Sequence, residues 1–144
     1  MPTKRIMVAT DGSAGANRAV EAAAALAKAA NGDLTIATFG GSFSAEELEQ
    51  LTRTEGQVGE AVDLLLNSTL RDAKEIAKRV GAPKIRTHSA WGDAAQSIID
   101  IAARKEVDIV VVGRRGRGRL AGMLFGSTSQ KVASLAPCIV IIVP

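Results

Sequence analysis

Tyrosine is absent from this chain, aromatic residues make up only 3% of it, and Trp91 is the single tryptophan. That scarcity argues against a surface that grips bases by stacking them on rings, and it leaves the core to valine, isoleucine, leucine and alanine. One cysteine, Cys138, cannot form an internal disulfide. It sits in the apolar run Ala136-Pro-Cys-Ile-Val-Ile-Ile-Val, where a thiol reads as a small buried hydrophobe rather than a nucleophile. The only histidine, His88, has neither Cys/His partners for zinc nor a triad suggested by sequence, so a structural or surface role is expected. No apolar run approaches a membrane span, and the first residues lack a long apolar stretch with a cleavage site. A cytoplasmic protein is the expectation. Acid runs out as well: nothing after Asp108 is acidic, while Arg114, Arg115, Arg117, Arg119 and Lys131 follow. This cationic last quarter points to an anionic partner.

What is present alternates in kind. Short apolar runs at Lys4–Thr10, Leu34–Phe39, Val107–Val112 and Cys138–Val143 read as strands, and Lys84–Ala90 fits one less cleanly. Between them, Ala16–Ala30 is rich in the best helix former and is closed by Asn31-Gly32. Glu60–Val80 carries helical apolar spacing, Asp93 with Gln96 forms a capping-box pattern before a helix to about Lys105, and a short helix is expected over Ser127–Leu135. Gly40–Gly59 is polar, a loop with a helical piece around Ala45–Leu51. The order β-α-β-α-β-α-β-α-β across residues 1–144 implies one α/β domain: a doubly wound, open, parallel five-stranded sheet with helices on both faces.

Ligands of such sheets bind beyond the carboxyl ends of the strands, where the winding reverses. Two glycine-rich turns compete for that place: Asp11-Gly-Ser-Ala-Gly15 after the first strand and Gly113–Ser129 after the fourth. There is no GxxxxGK[ST], so this is not a P-loop. Gly116-Arg-Gly118-Arg-Leu-Ala121 meets a relaxed dinucleotide pattern, yet no helix opens there and no acid follows to hold a ribose. The second turn still suits polyphosphate. Its glycines let backbone approach a ligand, successive N–H groups can form an anion nest, and Ser127, Thr128 and Ser129 open a helix whose dipole and hydroxyls favour negative charge. Bland roles stand beside these, since Asp11 and Ser127 both have the chemistry of helix caps.

The spacing Gly113-x2-Gly116-x9-Gly126-Ser127 resembles the signature of the ATP-binding branch of the universal stress protein family. So do the opening strand into Thr10-Asp11-Gly12-Ser13, the Gly126-Ser-x-Ser-x-Lys-Val segment and the ending Ala136-Pro-Cys-x-Val-x-x-Val, so the similarity spans essentially the whole chain. The resemblance implies strand order 3-2-1-4-5, with Asp11 and Gly113 side by side. It implies ATP as ligand. Asp11 would be at the ribose, and also at a phosphate-bound Mg2+. Thr10 and the backbone near Phe39 would flank adenine. Gly113 and Gly116 would shape the ribose–phosphate turn, with Gly126, Ser127 and Thr128 on the phosphates. Arg114 and its neighbouring arginines are denser than the family pattern leads one to expect; they either strengthen the hold on triphosphate or serve another polyanion. Phe39 also departs from the family's usual second-strand ending, and its ring either packs on adenine or fills the hollow. The resemblance, with the apolar edge strand Cys138–Val143, implies a homodimer. The functional expectation is an ATP-binding stress-response regulator with at most weak ATP hydrolysis; a domain that has lost nucleotide binding is the alternative. An adenylating ligase is disfavoured, because neither an HxGH nor an SGGxDS-type motif occurs.

Overall fold

The computed structural model describes residues 4–42, 49, 58–114 and 126–144. Five parallel strands form the sheet: β1 (Arg5–Ala9), β2 (Asp33–Phe39), β3 (Lys84–Ala90), β4 (Ile109–Gly113) and β5 (Ile139–Val143). They lie in the order β3-β2-β1-β4-β5, as the family resemblance implies. The described helices are α1 (Ala14–Ala30), α2 (Val58–Val80), α3 (Ala94–Arg104) and α4 (Ser127–Leu135). The helical piece expected around Ala45–Leu51 lies outside the described residues, apart from Glu49.

Alternation along the central strands divides the core between the two faces. Ile6, Val8, Leu34, Ile36 and Val111 pack with Ala19, Val20, Ala23 and Ala27 of α1 and with Leu70, Ala73 and Ala77 of α2. Met7, Ala37, Phe39, Val110 and Val112 face the other way, onto Ala95, Ile98, Ile101 and Ala102 of α3 and Val132 of α4. The larger of these side chains, valine, leucine, isoleucine, methionine and phenylalanine, contribute about 1.5–3 kcal/mol each when fully buried, which is why strands covered on both sides carry unbroken apolar runs. The alanines of α1 leave little side chain between helix and sheet, so the helix can lie close above β1 and β4.

Helix ends follow local chemistry. Ser13 is the N-cap of α1, its hydroxyl accepting from the Ala16 N–H at 3.2 Å, and Asn31 closes the helix in the left-handed conformation at φ 51°. Asp93 caps α3 by accepting from the Gln96 N–H at 3.0 Å. The capping box expected there is only half formed. The Gln96 side chain turns forward and donates to Asp100 at 2.9 Å, a charged acceptor one helical turn on.

β4 begins at Ile109, later than Val107, because the preceding residues are bound elsewhere. The Val107 N–H donates to Ala102 O, the Asp108 N–H to Arg5 O, and the Asp108 carboxylate accepts from the Arg5 N–H at 2.8 Å. These bonds turn the chain from α3 into the sheet beside the start of β1.

Candidate functional site

β1 is paired with β2 on one side and β4 on the other, and the connections leave it in opposite directions. The winding therefore reverses between the carboxyl ends of β1 and β4. Beyond β1, the Thr10 N–H donates to Ala37 O at 2.9 Å, which carries the chain straight over the sheet. The Thr10 hydroxyl accepts from the Gly12 N–H at 3.1 Å, and the Asp11 carboxylate accepts from the Ser13 N–H at 2.9 Å. Gly12 takes φ +82°, a conformation that favours glycine. Two side-chain turns thus fold Thr10–Ser13 back into α1. Asp11 shapes the turn while Ser13 does the capping, so the capping role considered for Asp11 belongs to Ser13.

The two glycine-rich turns meet at Gly113. A Cβ built there would stand 3.2 Å from both the carbonyl carbon and the carbonyl oxygen of Gly15, so the end of β4 lies against the first turn of α1. Arg114 is the next joint. Its N–H donates to Val143 O at 2.7 Å, and its carbonyl accepts from the Gly126 N–H at 2.7 Å. The second turn therefore leaves and re-enters the fold at one place, with Gly126 as N-cap of α4 and no side chain capping that helix. Ser127 is the first helical residue, which removes the capping role considered for it. Ser129 differs from expectation. It is 2% exposed, and its hydroxyl lies 2.9 Å from Arg114 O and 3.0 Å from Gly126 O, so it fastens the turn instead of facing a ligand. Ser127 is exposed and Thr128 half-buried at the same helix start, where unpaired N–H groups favour an anion. Gly116, Arg115, Arg117 and Arg119 lie outside the described residues.

Phe39 ends β2 with its ring 2% exposed, among the residues under α3. Of the two roles open to this ring, its burial in the core favours filling space over stacking on a base, and leaves the backbone at the strand end. Sequence reasoning missed the crossing just beyond it, where the Gly41 N–H donates to Gly92 O at 3.1 Å. Trp91, 49% exposed, lies over Gly40 there, 3.2 Å from where a Cβ would be. Paired Gly40-Gly41 and Trp91-Gly92 after neighbouring strands were the available signal. Cys138 is half-buried, and burial pushes its thiol pKa up, the wrong direction for a nucleophile.

A model of the universal stress protein family matches residues 2–144. The chain belongs to that family. It is 34% identical to universal stress protein YxiE of Bacillus subtilis, covering 96% of this chain and 97% of that protein. It is 32% identical to a universal stress protein of Thermus aquaticus, covering 97% and 98%. Among solved structures, it resembles a universal stress protein in complex with cAMP, with a TM-score of 0.74 and 30% identity over 100% of this chain and 98% of the other. UspA from Lactobacillus plantarum shares the fold, with a TM-score of 0.79 and 22% identity over the full length of both chains. Among the described residues no helix is long and apolar enough to cross a membrane.

Proposed function

We propose that this universal stress protein is an ATP-binding regulator working in the cytoplasm as a homodimer. The nucleotide lies across the joint between the two glycine-rich turns. The observation that carries this reading is the contact of Gly113 with Gly15, which sets a carboxylate turn beside an anion-favouring helix start. Asp11 takes the ribose. Thr10 and the backbone at Phe39 flank the base. Gly113, Arg114 and Gly116 form the ribose–phosphate turn, and Gly126, Ser127 and Thr128 hold phosphate oxygens through N–H and hydroxyl donors. The relative solved with cAMP supports an adenine nucleotide as the ligand class.

Mg2+ fits this arrangement only as a companion of the phosphates. Among the described residues no group of three or more His, Cys, Asp or Glu could hold a metal by itself, and Asp11 is the carboxylate we assign to it.

Thermal unfolding with Mg-ATP, cAMP and an RNA oligomer is the test. A ligand at 100 times its dissociation constant stabilises the fold by about 2.7 kcal/mol, a rise of several degrees for a domain of this size. Mg-ATP should give that rise, and Gly126→Val and Ser127→Ala should shrink it. Stabilisation by RNA alone, steeply dependent on salt, would overturn the reading.

A further inference from the structure

A hollow of about 510 Å³ opens on the α3 face of the sheet, at the end opposite the glycine-rich turns. It is lined by Arg5, Asp33, Thr35, Arg86, His88 and Lys105, with Met7 beneath. Strand register explains the convergence: Asp33 pairs with Arg5 and Lys84, Thr35 with Met7 and Arg86, and Ala37 with His88. The rows that carry Met7 and Val110 under α3 thus continue onto β3 as Arg86, which is exposed, and His88, which meets the ring of Phe39. From the other side, the end of α3 closes in. The Arg5 guanidinium donates to Lys105 O at 3.0 Å.

The charges do not cancel. Arg5 is 3.5 Å from Glu106, and Lys84 is 3.9 Å from Asp33, which offsets the hollow's one lining carboxylate. Arg86 and Lys105 have no ion pair among the described residues. The ring of His88 lies 6.4 Å from that of Phe39, and burial, then the charges of Lys105 and Arg104, lower its pKa from the ordinary value. Asp33 adds a second signal. Its Oδ1 accepts no hydrogen bond, and its counterion, Lys84 Nζ, stands 3.9 Å away, which leaves room for a closer donor. Charges that only guarded the edge strand β3 would not account for Lys105, just past α3, converging on the same hollow.

We propose that this hollow is a second ligand site, taking a small organic anion that also carries hydroxyl groups. Its phosphate or carboxylate lies against Arg86 and Lys105, and one hydroxyl donates to Asp33 Oδ1. The volume is that of a metabolite pocket rather than an ion site. A carboxylate ligand, whose own charge stays fixed in this range, binds more strongly as pH falls and His88 gains its proton, because the ring then becomes another cation facing it beside Arg5, Arg86, Arg104 and Lys105, against the one carboxylate of Asp33.

Glucose 6-phosphate, glucose and inorganic phosphate serve as probes in an NMR titration of the full chain. Glucose 6-phosphate at millimolar concentration should shift the amides of Thr35 and Thr87 and raise the pKa of the His88 ring, while glucose does neither. The exposed pair Arg86→Ala/Lys105→Ala should weaken it at least about tenfold. Asp33→Asn should remove its advantage over inorganic phosphate. Shifts confined to Gly12 and Gly126–Thr128 would overturn the proposal, since the sugar phosphate would then be using the nucleotide turns. So would equal binding by the double variant, or a response only to a polyanion such as heparin. None of these outcomes depends on whether Mg-ATP binds.

Discussion

At position 113 a single hydrogen decides how near β4 can come to α1. The neighbours of a Cβ there are Gly15 backbone atoms at 3.2 Å, which cannot swing aside as a flexible side chain would. Gly113→Ala should therefore cost about 1–3 kcal/mol, in the range of overpacking, and should also lower nucleotide affinity by separating the two turns. Urea unfolding gives the first quantity and the Mg-ATP melting shift the second. His88 offers a residue-scale test through protons. Its folded pKa lies below the ordinary 6.5, chiefly through burial. Between 6.5 and the lowered value the unfolded chain binds more protons, so stability falls as pH falls through that window. His88→Gln should flatten that part of the curve of unfolding free energy against pH. That Gly113 and Gly126 stand at the two ends of the second turn was legible in the sequence because the spacing from 113 to 126 is a local pattern. The direction of the Phe39 ring was not. In a strand buried on both sides, apolar residues look alike whichever helix layer they meet, so only the assembled α3 face shows the ring to be core. Ser129 stayed hidden for a related reason, since its acceptor on Arg114 lies across a turn.

At the scale of elements, the chain states where helices begin more clearly than which group begins them. Asp11 and Ser13 both have cap chemistry; the structure gives the turn to one and the helix to the other. Ser13→Ala should cost about 1 kcal/mol, within the 0.5–2 kcal/mol typical of lost N-caps, measured by chemical denaturation. Asp11→Ala should cost less stability than that if its carboxylate serves a ligand more than the turn. Strand existence was legible from apolar runs, and strand ends were not. β4 starts later than its run does, because the residues before it spend hydrogen bonds on other partners: Val107 on α3, Asp108 on Arg5. Arg5 is distant in sequence, so no local pattern announces that bond.

For the whole molecule, the two edges of the sheet differ in kind. β3 presents Lys84, Arg86 and Thr87 as exposed residues, and charge on an edge strand discourages further pairing. β5 carries no charge at all; Ile139 is 62% exposed, and Leu135, at the end of the preceding helix, is 59% exposed. Strand order made this asymmetry readable once the family resemblance had put Cys138–Val143 at an edge, although the exposure of Leu135 needed the fold. An apolar edge continuous with an exposed leucine fits pairing with a second copy about a twofold axis, where one patch serves both subunits. Sedimentation at micromolar concentration should then show a dimer. Leu135→Lys/Ile139→Lys should give a folded monomer, because neither side chain is buried within the subunit and charge on both copies would face itself across the axis. A wild-type chain that sediments as a monomer would remove β5 as the interface. The nucleotide reading would survive that result, since every residue it uses belongs to a single chain.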